Sequence, residues 1–132
     1  MAGACTCSQL ENGIYELVMS EATRRAVDEY FAHVERVARS AKENGAAKVM
    51  FLLDASQMDK NSPPLIYFFQ KTRDYRDRYP DRLPTRNATV FQKGLIVSLV
   101  DTFLKSIGGG DRDQARFFSP DERDKAIDWL LV

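Results

Sequence analysis

The sequence predicts an α/β domain: a mixed, mostly parallel five-stranded sheet that opens with a β-hairpin and carries four helices. Three observations lead there. The stretch Lys48 to Asp54 is apolar at consecutive positions, the pattern of a central strand covered on both faces. After an opening pair of strands the segments alternate helix, strand, helix, strand, which implies right-handed crossovers between parallel neighbours. Two later helices are announced by Ser-Pro, a capping residue followed by proline at the first helical position, at Ser62-Pro63 and Ser119-Pro120.

In chain order, Ala4 to Leu10 and Ile14 to Met19 flank the turn signal Glu11-Asn12-Gly13 and read as the hairpin. Ser20 is placed to cap the next helix. Ala26, Val27, Tyr30, Val34, Val37, Ala38 and Ala41 then recur at three and four residues, an amphipathic helix with Arg24, Asp28, Glu35, Arg39 and Lys42 toward water. Asn44-Gly45 ends it. After the strand to Asp54, a polar loop leads to Ser62, and Leu65, Phe68, Phe69, Thr72, Tyr75 and Tyr79 form the inner stripe of a second helix. Pro80 and Pro84 bracket its exit. Arg86 to Gln92 is a third interior strand. Gly94 permits a turn into a strongly apolar helix from Leu95 to Ile107, which Gly108-Gly109-Gly110 terminates. Ala115 to Phe118 is a short last strand. The final helix has a capping box, Ser119 with Glu122 three residues on, and turns Ala126, Ile127, Leu130 and Leu131 inward, with Trp129 over an edge.

The totals bound the function. A chain of 132 residues suits one domain, spanning 1–132, with a real core. With 19 basic and 19 acidic residues the formal charge is zero, so no bulk field draws in nucleic acid or an anionic membrane, and self-association into a homodimer is not opposed by repulsion. The opening residues lack a basic start with a long apolar run, and Leu95 to Val100, broken by Asp101, is too short to span a bilayer. A cytoplasmic protein with no integral membrane segment is expected. Cys5 and Cys7, two apart, read as reduced thiols; a bridge between them closes too small a loop to stabilise much.

Three stretches resemble the SpoIIAA-like family, which includes STAS domains and small bacterial relatives with a lipid-carrier-like fold. Asn12-Gly13-Ile14-Tyr15 is similar to its opening hairpin. Val49 to Met58 resembles its segment of hydrophobic strand, Asp, small residue, Ser and apolar residue. Arg116 to Glu122, followed by Ala126 to Leu130, resembles its tail. The likeness runs as a pattern over nearly the whole chain, and its motifs mostly build the fold. It implies a sheet wrapped by helices, no catalytic residues, no cofactor, and a regulatory role through protein interaction. Some STAS domains are switched by phosphorylation at the start of the second major helix, in Asp-Ser-Ser/Thr-Gly. Here that stretch is Asp59-Lys60-Asn61-Ser62-Pro63-Pro64, in which Ser62 matches while the second hydroxyl and the glycine are missing.

Each candidate site has a plainer reading beside it. Ser62 caps a helix, and a phosphate there would sit at the favourable positive end; Ser56 is the neighbouring hydroxyl. Asp54 ends a buried strand, where a phosphoacceptor would stand, but no acidic pair or lysine at other strand ends completes a magnesium-phosphate set. Its plain role is to accept hydrogen bonds from the following turn. The glycine triplet leaves a helix rather than entering one, so it terminates rather than cradles phosphate. His33, the only histidine, lies at the border of an apolar stripe, without a nucleophile beside it. The cations from Lys71 to Arg86 are interleaved with Asp74, Asp77 and Asp81, which reads as a solvated, paired helix face. Nothing supplies a nucleophile with a base. The expected function is therefore a non-catalytic protein-interaction module. Its binding edge is Asp54, Asp59, Lys60 and Tyr67, with Ser56 and Ser62 as recognition or phosphorylation points. The alternatives are a small carrier of an apolar, lipid-like ligand, suggested by the aromatic surplus, and an enzyme or receiver using Asp54.

Overall fold

The hairpin is made by β1 (Cys5–Gln9) and β2 (Tyr15–Met19), antiparallel, with Cys5 opposite Met19 and Gln9 opposite Tyr15. The turn between them closes through Leu10 N–H to the Ile14 carbonyl (2.8 Å) and Gly13 N–H to the Leu10 carbonyl (3.0 Å). Gly13 has φ of +89°, a backbone region that L side chains avoid, so glycine is required there. The structure, a computed structural model, describes residues 3–56, 65–91 and 113–132.

Helix α1 (Arg24–Glu43) follows. Its cap is Thr23 rather than the expected Ser20: the Thr23 hydroxyl accepts from Ala26 N–H at 3.2 Å. Ser20 is still held by the sheet, its N–H and its hydroxyl both donating to the Ala4 carbonyl (2.9 and 3.2 Å). At the far end, Gly45 N–H donates to the Lys42 carbonyl and Ala46 N–H to the Ala41 carbonyl, the paired bonds of a left-handed helix stop, with Gly45 at φ +77°.

The rest of the sheet is parallel. β3 (Val49–Asp54) pairs with β2 on one side and with β4 (Thr85–Val90) on the other, and β4 pairs with β5 (Asp113–Phe118). The spatial order β1-β2-β3-β4-β5 follows the chain, with β3 in the middle. The α/β class and the mixed five-stranded sheet are thus as expected. Three α-helices stand among the described residues: α1, α2 (Leu65–Arg78) and α3 (Arg123–Leu131). The fourth expected helix, Leu95 to Ile107, and the glycines that flank it lie outside the described residues.

Alternation along β3 divides the core. Val49, Phe51 and Leu53 join Leu17, Met19, Cys5 and the inner stripes of α1 and α2, including Val27, Phe31, Val34 and Phe69. Leu52 points the other way and packs with Ile14, Ala88, Val90, Phe118, Ala126 and Leu130. That α1 and α2 share a face follows from the strand order, because right-handed crossovers stepping in one direction fall on one side. Helix α3 covers the opposite side.

The capping box before α3 forms at a 3₁₀ turn, Pro120–Glu122: Ser119 N–H donates to Glu122 Oε1 at 3.0 Å, and that bond holds the Glu122 carboxyl below its usual range. Helix α3 is tied down at both ends. Arg123 pairs with Glu16 of β2 at 2.5 Å. Arg86 of β4 donates to the carbonyls of Trp129 (2.6 Å) and Val132 (2.9 Å) while its guanidinium lies over the Trp129 ring. One inner position is corrected: Leu131 is 47% exposed, since the residue after Leu130 is turned about 100° off the sheet.

Leu52, fully buried between β2, β4 and α3, is the most telling site for stability. Leu52→Ala is expected to cost about 2–5 kcal/mol in urea-induced unfolding, and Arg86→Ala about 1–3 kcal/mol with a shifted Trp129 emission.

Candidate functional site

The carboxyl ends of the parallel strands form one edge of the sheet. Val18, Asp54, Val90 and Phe118 lie in one row across it. The chain stays paired one residue beyond β3, Ala55 N–H donating to the Val90 carbonyl at 2.9 Å, and then turns. The turn is built by Asp54: its Oδ1 accepts from Ser56 N–H (3.0 Å) and from the Ser56 hydroxyl (2.5 Å). Asp54 and Ser56, named separately from the sequence, are therefore one unit, with the carboxylate serving the turn as expected. Asp59, Lys60 and Ser62 lie outside the described residues.

Tyr67, in the first turn of α2, belongs to a second unit at the same end. Its phenol donates to Asp28 Oδ1 on α1. Lys71 Nζ lies 3.6 Å from the same oxygen. The Arg24 guanidinium stands 4.9 Å from the centroid of the Tyr67 ring and the Lys71 ammonium 6.0 Å from it. Two cations thus meet the ring while a carboxylate holds its hydroxyl. The bond to Asp28, with some burial and the Asp28 charge, raises the phenol pKa against the opposing effect of Arg24. Beside it Ile66 is 75% exposed, a large apolar side chain standing in water. Asp28 and Arg24 read from sequence only as the wet side of α1. The spacing of four that puts them on one face was visible, but the helix they meet was not.

On the other helix face, Cys5 and Cys7 point together from β1 toward α1, as expected of alternate strand positions, and both are free thiols. His33 sits between the Cys5 carbonyl (2.9 Å from Nε2) and the Arg36 guanidinium (3.0 Å from Nδ1). A carbonyl only accepts and a guanidinium only donates, so the proton is on Nε2 and Nδ1 is the acceptor. Burial, with the Glu29 charge, pushes the Cys5 thiol up from 9.0 to about 12; burial also raises Cys7, against Arg36. Burial thus disfavours the thiolate form of both.

Among the described residues no cluster of three His, Cys, Asp or Glu side chains could hold a metal ion, and no helix is long and apolar enough to cross a membrane. No family model, curated protein or solved structure matches the chain.

Two outcomes test this geometry. A charge placed on Ser56 would face the Asp54 carboxylate, so Ser56→Asp should be less stable than Ser56→Ala by about 1 kcal/mol or more in thermal unfolding. The raised Cys5 pKa means that the folded chain keeps a proton the unfolded chain loses. Its stabilising contribution is whole below pH 9 and is lost as pH rises toward about 12. Denaturant titrations across that range should show a shallower fall for Cys5→Ala, by roughly one proton.

Proposed function

We propose that this chain is a non-catalytic interaction module of STAS type that recognises a protein partner through the carboxyl-end edge of its sheet. The carrying observation is the patch at Tyr67. An exposed Ile66 stands next to an aromatic ring fixed by Asp28, with Arg24 and Lys71 against it. Fixed rings and guanidinium groups around an apolar side chain are what interface hot spots are made of. A ring already anchored loses little freedom on binding. The Asp54–Ser56 turn lies at the same edge. The partner that fits is an apolar side chain flanked by carboxylates, which would seat on Ile66 and meet Arg24, whose charge has no carboxylate partner among the described residues. Ser62 remains the candidate phosphorylation point, and the chain itself a candidate homodimer.

A photo-reactive residue at position 66 tests the reading. In extract of the source cell it should cross-link one defined partner. Tyr67→Ala and Arg24→Glu should each reduce that product about tenfold or more, and Arg25→Glu, whose side chain pairs with Glu29, should leave it within about twofold. A cross-linking pattern indifferent to Tyr67→Ala and Arg24→Glu would sink the assignment. Sedimentation velocity on the same variants tells whether the partner is a second copy.

A further inference from the structure

At the opposite end of the molecule, where the strands begin, a cleft of about 450 Å³ opens between the last turns of α1 and α2 and the segment leading into β4. We propose that it binds a small aromatic carboxylate. The inference stands apart from the interaction surface, which lies at the other end of both helices.

The size is right: sites for small ligands run from about 300 to 1,000 Å³. The floor is apolar and aromatic. Tyr75, buried, and Tyr79 stand with ring centroids 5.3 Å apart at 49°, and Leu83 and Ala38 complete it. Tyr75 is packed into the core and Arg78 lies over Tyr79, so the pair gives the cleft an aromatic wall rather than an open ring face. The rim is cationic in a particular way. Lys42 donates to the Asp81 carbonyl at 2.9 Å, which fixes the ammonium without neutralising it. Arg82 is pinned by the carbonyls of Tyr79 (3.1 Å) and Arg76 (3.4 Å). Arg39, exposed on α1, has no partner among the described residues, so its planar fork is free for a bidentate contact with a carboxylate. Arg78 is spoken for: it pairs with Glu35 at 2.6 Å and lies over the Tyr79 ring, closing one wall.

Two carboxylates, Glu43 and Asp81, also reach the rim. Both are exposed and neither is held by a hydrogen bond or ion pair among the described residues, whereas Lys42 and Arg82 are held. With Arg78 taken by Glu35, three cations, Arg39, Lys42 and Arg82, face these two carboxylates, so the cleft favours an anion over an amine.

Three probes of one shape separate the alternatives: 3-phenylpropanoate, 3-phenylpropan-1-ol and 3-phenylpropan-1-amine, titrated into the full chain and followed by ¹H–¹⁵N NMR. The carboxylate should shift the amides of residues 38–43 and 79–83 saturably, about tenfold more tightly than the alcohol, with the amine weaker still. Arg39→Gln should bring the carboxylate down to the level of the alcohol and leave the alcohol unchanged. An Arg39→Gln spectrum that superimposes elsewhere shows the fold intact. The proposal is overturned if none of the probes saturates those amides, if the amine binds as tightly as the carboxylate, or if Arg39→Gln leaves the carboxylate affinity as it was.

Discussion

Water is excluded from both sides of β3, and the rest of the molecule is arranged around that exclusion. Phe51 and Leu53 need cover on one face and Leu52 on the other, so helices must lie on both sides of the sheet. A strand sealed in this way can carry a carboxylate only where it emerges. Asp54 is at that point, and there its oxygen is taken by the turn it creates. Burial thus fixes the position at which polar chemistry reaches the surface, and the nearby start of α2 inherits the same edge.

What could be read from the amino acids alone was local. β3 was legible because its apolar run is too short for a buried helix and is bounded by polar residues. The stop of α1 at Asn44-Gly45 and the box at Ser119 and Glu122 were legible because capping is settled within four residues. Thr23 displaced Ser20 as a cap for a reason that is not local: Ser20 is claimed by the Ala4 carbonyl across the hairpin. Leu131 was misplaced because, one residue on from Leu130 at the end of the helix, it is turned about 100° away from the sheet. At the candidate site, Asp54 and its turn were legible. The Asp28 and Arg24 half was not, because it depends on how two helices meet. Asp59, Lys60 and Ser62 lie outside the described residues.

A net charge of zero conceals a definite arrangement. Arg24 faces Tyr67, Arg78 faces Tyr79, Arg86 faces Trp129 and Arg116 faces Phe118. Four guanidinium groups thus rest on rings, and three of them, Arg24, Arg78 and Arg116, do so while still exposed. Lysine would not substitute freely, since a compact, strongly hydrated ammonium lacks the flat face that stacks on a ring. The interleaved cations and carboxylates of the second helix reach outward too, Lys71 to Asp28 and Arg78 to Glu35, so they join α2 to α1.

Because the strands lie side by side in the order in which they occur along the chain, the sheet has a direction of growth. Each parallel strand that emerges during synthesis finds its neighbour already made and adds to a waiting margin; none must be threaded between two others. The helix that locks onto β3 and β4 through Leu130 and Arg86 follows β5 in the chain. The five strands can therefore all pair before the helix that covers Leu52, Ala88 and Val90 has been made.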